Sequence, residues 1–74
     1  MARNPVNRKK LPGSKWTAVT PTDREKHCLV LDWVRDEEGR PTDYVLIEAV
    51  ISNVAREIRW RELEDSQRWA VGWR

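Results

Sequence analysis

The sequence predicts an all-β domain, on three observations. Two apolar runs, His27 to Arg35 and Tyr44 to Ile51, alternate in hydrophobicity with period two. They are joined by a turn-forming stretch, Asp36-Glu37-Glu38-Gly39-Arg40-Pro41. Shorter alternating runs flank them at Lys15 to Thr20 and Trp69 to Trp73. Successive side chains of a strand point to opposite faces, so alternation of β-branched and aromatic residues between Gly and Pro boundaries is the strand signature.

The central runs read as a long hairpin. Pairing Trp33 with Val45, Leu31 with Ile47 and Leu29 with Ala49 puts six apolar residues on one face. The other face then carries Cys28, Val30, Asp32, Val34, Tyr44, Leu46, Glu48 and Val50. A slip by one residue would turn Asp32 and Glu48 inward, so the pattern selects the register. Gly39 is available for a positive φ in the loop. A lone hairpin is marginal in water, so other segments must cover its inner face.

The flanking elements follow in order. Residues 1–14 lack periodicity, contain Pro5, Pro12 and Gly13, and read as an extended basic arm that is disordered unless a partner holds it. Residues 15–74 form the folded domain. Lys15 to Thr20 is a first strand, with Trp16 and Ala18 on one face and Thr17 and Val19 on the other; Pro21 ends it, having no N–H for the ladder. Thr22 to Lys26 is a charged loop. After a turn at Ser52-Asn53, Val54, Arg56, Ile58 and Trp60 alternate with Ala55, Glu57 and Arg59, which predicts a fourth strand. The residue types over 54–68 also suit a helix, but Ile58, Trp60 and Leu63 make no helical stripe with Val54. Arg61 to Asp65 reads as a single helical or 3₁₀ turn that seats Leu63 beneath Trp60. Trp69, Val71 and Trp73 form a last short strand, with Gly72 on the opposite face where a backbone can approach closely. Five short antiparallel strands with one helical turn before the last predict a small, partly open barrel of the SH3-like kind. Trp33 and Trp60 are predicted core residues. In a chain with five Trp and no Phe, a few indoles can fill a small core, since each buries about 150–250 Å².

Charge is unevenly placed. Residues 1–15 hold Arg3, Arg8, Lys9, Lys10 and Lys15 and no acid, whereas the remainder holds nine basic and twelve acidic residues. A basic arm on a mildly acidic body is the asymmetry of a segment that touches nucleic acid or another polyanion. Cys28 is the only cysteine, so the chain has no intramolecular disulfide; a lone strand thiol reads as apolar filler and fits a reducing compartment. The basic N-terminus has no apolar run behind it to make a signal peptide, and no stretch is long enough to span a bilayer. A cytoplasmic protein without membrane attachment is expected.

Catalysis, metal binding and cofactors are not expected. His27 is the only histidine, and its neighbour Cys28 points to the opposite strand face, so the two cannot act as base and nucleophile. No second Cys or His completes a zinc site. Asp36, Glu37 and Glu38 make a solvated turn, and Glu64 and Asp65 are adjacent surface acids. Gly13-Ser14-Lys15 is too short to be a phosphate-cradling loop.

The stretches Asn4-Pro-Val-Asn-Arg-Lys-Lys-Leu11, Gly13-Ser-Lys-Trp-Thr17 and the tail Trp60-Arg-Glu-Leu63, Asp65, Trp69, Gly72-Trp73 carry a resemblance. Over nearly its whole length the chain resembles a family of small tryptophan-rich bacterial proteins classed only as a domain of unknown function. The resemblance implies a bacterial setting and transfers no functional residue.

The residues themselves point to a non-catalytic binding module for RNA or a ribonucleoprotein. Arg3, Arg8, Lys9, Lys10 and Lys15 would contact phosphates and Trp16 would stack on a base. Tyr44, Trp69 and Trp73 are candidates for an exposed aromatic surface. The alternative is a protein-interaction adaptor that uses an aromatic patch or a free sheet edge.

Overall fold

The computed structural model describes residues 3–22 and 24–74. Met1 and Ala2 of the expected arm, and Asp23 of the expected charged loop, lie outside the described residues. Five strands build one antiparallel sheet: β1 (Lys15–Ala18), β2 (His27–Arg35), β3 (Pro41–Ala49), β4 (Ala55–Arg59) and β5 (Trp69–Val71). Their spatial order is β4-β3-β2-β1-β5, and the sheet is open between β4 and β5. A 3₁₀ turn at Arg8–Lys10 precedes β1, and a second at Trp60–Glu64 joins β4 to β5.

The central hairpin forms as the alternation requires, but one residue changes its inner face. Trp33 pairs with Val45 as expected, and Asp32 with Leu46. The next pair is Val30 with Ile47, so Leu31 is an extra residue on β2. A bulge of this kind places two residues opposite one and bends the strand. Beyond it, Cys28 pairs with Ala49 and Leu29 with Glu48. The inward residues there are therefore Cys28 and Val30, which are buried, and not the expected Leu29 and Leu31. Leu31 is 38 % exposed. Strict alternation carried across a bulge inverts the faces on one side of it, which is the source of the discrepancy. At the tip, Gly39 adopts φ +80° and its N–H donates to the Asp36 carbonyl at 3.0 Å.

The expected fourth strand ends one residue early. Arg59 is still extended, and the 3₁₀ turn begins at Trp60. In a 3₁₀ turn residues i and i+3 lie on the same side. Trp60 and Leu63 consequently both enter the core, with Leu63 fully buried. They join Leu11, Trp16, Val30, Val45, Ile47, Ile58 and Trp69 in one cluster, with Trp33 packed at its margin. Full burial of each aliphatic side chain contributes about 1.5–3 kcal/mol. Gly72 has φ +78°, and a Cβ built there would meet nothing within 4 Å. Its role is the left-handed backbone after β5, not the close approach expected from the sequence.

The N-terminal segment is folded onto this sheet from Arg3 onward. Arg3 forms an antiparallel bridge with Asp65. The Asn4 N–H donates to the Glu64 carbonyl at 3.0 Å, and its side-chain amide donates to the carbonyls of Leu63 and Trp69 at 2.9 and 2.6 Å. Leu11 is 2 % exposed in the core, and Val6 packs against it. One buried leucine and one asparagine thus fix a stretch whose composition predicts a free arm.

Candidate nucleic-acid interface

The basic residues of the N-terminal segment are presented from this anchored backbone. The Asn7 side chain accepts the Lys9 N–H at 3.1 Å and starts the short 3₁₀ turn that carries Arg8, Lys9 and Lys10. The Lys10 N–H donates to the Asn7 carbonyl at 2.9 Å. Arg3, Arg8, Lys9, Lys10 and Lys15 are all exposed. Among the described residues none of the five is in an ion pair; the pairs involve Arg35, Arg40 and Arg68 instead.

Two of these cations rest on indoles. The Arg8 guanidinium lies 5.1 Å from the Trp60 ring centre and 5.5 Å from that of Trp33. These two rings meet edge to face, 6.4 Å apart. Arg61, which the sequence reading did not single out, sits 4.9 Å from Trp60. The Lys15 ammonium lies 4.8 Å from the Trp73 ring. A cation over a ring face is held by the ring quadrupole while its outer side stays open to an anion. Contact with the protein therefore orients these charges without neutralising them.

The aromatic candidates separate into two groups. Trp16 is 3 % exposed and its indole N–H donates to Ser14 Oγ at 2.8 Å, so it has no face for a base to stack on. Trp69 is equally buried, its N–H donating to Glu62 Oε2 at 2.9 Å. Trp16 lies beside the N-terminal segment and Trp69 is bonded to the second 3₁₀ turn, covers not foreseen for residues so near the ends of the folded region. Tyr44 and Trp73 are exposed. Arg59 lies over Tyr44 at 5.6 Å. Trp73 stacks on His27 at 5.7 Å and its N–H donates to the Cys28 carbonyl at 3.0 Å. The Arg61–Trp60 contact was legible only as a basic residue next to an indole.

His27 and Cys28 occupy opposite faces of β2. His27 Nε2 lies 2.9 Å from the Arg74 carbonyl oxygen, and Cys28 is buried. Burial pushes the Cys28 thiol above its ordinary value, Arg56 partly offsetting this and Glu25 adding to it. Among the described residues no three His, Cys, Asp or Glu side chains gather as metal ligands would, and no helix is long and apolar enough to cross a membrane.

Residues 14–74 match the model of a family described as Tryptophan-rich protein (DUF2389). No curated protein and no solved structure matches the chain.

Proposed function

This chain belongs to the tryptophan-rich family DUF2389, and we propose that it is a non-catalytic module that binds RNA or a ribonucleoprotein in the cytoplasm. The observation that carries this reading is the set of exposed cations Arg3, Arg8, Lys9, Lys10 and Lys15, which no carboxylate among the described residues neutralises. Phosphate contact is mainly a matter of such unneutralised charge. Because the turn that carries Arg8, Lys9 and Lys10 is fixed to the body on either side by Asn4 and Leu11, binding through it costs less ordering entropy than a free tail would require. The strand order, with a 3₁₀ turn ahead of β5, supports kinship with SH3-like barrels, a rigid frame for these cations.

The test is the salt dependence of RNA affinity in the full chain and in a Lys9→Gln/Lys10→Gln/Lys15→Gln variant. Each phosphate contact to a single strand contributes about 0.7 to the log–log slope, so the variant should lose about 2 from the slope if all three lysines contact phosphate. Its melting temperature should stay close to that of the unaltered chain. Unchanged RNA affinity in a folded variant would refute the reading.

A protein-interaction adaptor is the second reading. It is favoured by the exposed Val50, Ile51 and Val54 at the β3–β4 turn, beside the free outer edge of β4. RNA-independent capture of one partner, lost on Ile51→Ser, would favour it.

A further inference from the structure

Between the N-terminal segment and the end of β5 lies an open groove of about 400 Å³. Its apolar lining includes Val6, Leu11 and Val71. Lys10, Lys15 and Asn7 add polar residues, and among the described residues no carboxylate lines it. Asn7 uses its side-chain oxygen to accept the Lys9 N–H, and no bond from its amide nitrogen occurs among the described residues. Lys15 is drawn toward Trp73 but forms no ion pair among those residues.

From this lining we infer that the groove is a subsite for one unstacked nucleotide of a single-stranded RNA. The inference rests on the RNA-binding reading and adds a ligand class to it. An apolar floor suits the face of a base, the Lys10 ammonium suits the adjoining phosphate, and the Asn7 amide suits a base carbonyl. A base in a duplex is stacked on both sides and cannot enter, whereas loops and single strands present bases that can. The site therefore selects unpaired RNA over helical RNA. An acidic peptide would satisfy the lysines but would leave the apolar floor without a planar partner.

The test uses the full chain with a uridine-rich single-stranded RNA, a duplex of equal length, uridine 5′-monophosphate, inorganic phosphate and a poly-glutamate peptide. Amide NMR shifts report the groove. Uridine monophosphate is expected to move the amides of Val6, Leu11 and Gly72 well beyond the shifts caused by inorganic phosphate. Val71→Glu, at an exposed β5 position, should abolish those shifts and weaken single-stranded RNA at least tenfold, while duplex affinity changes less than threefold. Lys10→Gln should reproduce a smaller loss, should Val71→Glu fail to fold. Single-stranded RNA that binds with the groove amides unmoved would overturn the subsite and leave the RNA-binding reading standing. Failure of every RNA to bind would overturn both. Poly-glutamate shifts equal to those of uridine monophosphate would overturn the nucleotide assignment.

Discussion

Two charged segments of this molecule handle charge in opposite ways. At the tip of the β2–β3 hairpin the charges are used locally. Asp36 Oδ1 accepts the N–H groups of Glu38 and Arg40, Arg40 pairs with Glu38 at 2.7 Å, and Arg35 lies 3.8 Å from Asp32. In the N-terminal segment the cations take no acidic partner among the described residues, and the backbone is held by Asn4 and Leu11. The tip is a turn stabilised by its own charges. The N-terminal segment is a charged surface anchored by the uncharged Asn4 and Leu11, with Arg8 resting on the Trp33 and Trp60 rings. A segment of the second kind can meet a polyanion without losing what holds it in place.

The contrast can be broken most severely at Leu11. Leu11→Ala should cost about 2–5 kcal/mol, the range for emptying a fully buried leucine site, and a urea melt with a midpoint unchanged from the parent would show that the segment is not part of the core. Asn4→Ala removes two side-chain bonds to partly buried carbonyls and should cost about 1–3 kcal/mol. Hydrogen exchange should then rise at Arg68 and Trp69 ahead of global unfolding. At the tip, Asp36→Ala removes two acceptor contacts in an exposed turn, for which about 0.5–1.5 kcal/mol is expected, with RNA affinity unaltered. The smallest effect is expected for Glu37→Gln: within about 0.5 kcal/mol in stability, as for surface sites generally, and at most a slight gain in RNA affinity. If Asp36→Ala or Glu37→Gln weakened RNA as strongly as the lysine variant, the division between the two segments would collapse.

Strand positions were legible because alternation is a local signal. The run His27 to Arg35 forms a strand over its whole length, whereas those expected over 15–20, 44–51 and 69–73 run Lys15–Ala18, Pro41–Ala49 and Trp69–Val71. The single turn seating Leu63 under Trp60 was legible for the same reason. The bulge at Leu31 was not, since leucine fits either face and nothing in composition marks it as extra. The packing of the N-terminal segment was also hidden. Leu11 is one apolar residue between two lysines and a Pro-Gly pair, and a single residue has no period. Asn4 bonds to carbonyls 59 and 65 positions away, a relation that no local pattern encodes. Trp16 and Trp69 looked available because they lie near the ends of the folded region; they are buried because those ends fold over them. Of the candidate interface, the cations were legible as charge, and their fixed presentation and the groove beside them were not.

Leu31 also separates two properties that strands usually entangle. Excise it, and Val30 and Asp32 become neighbours facing Ile47 and Leu46 in unbroken succession, every remaining side chain keeping its present side. The oily and wetted faces of the hairpin would survive such a shortening, and only its curl would relax. Part of the sheet's curvature is thus written into a position that the inside–outside code can spare, and a chain one residue shorter there would lose one of the two irregularities between β2 and β3.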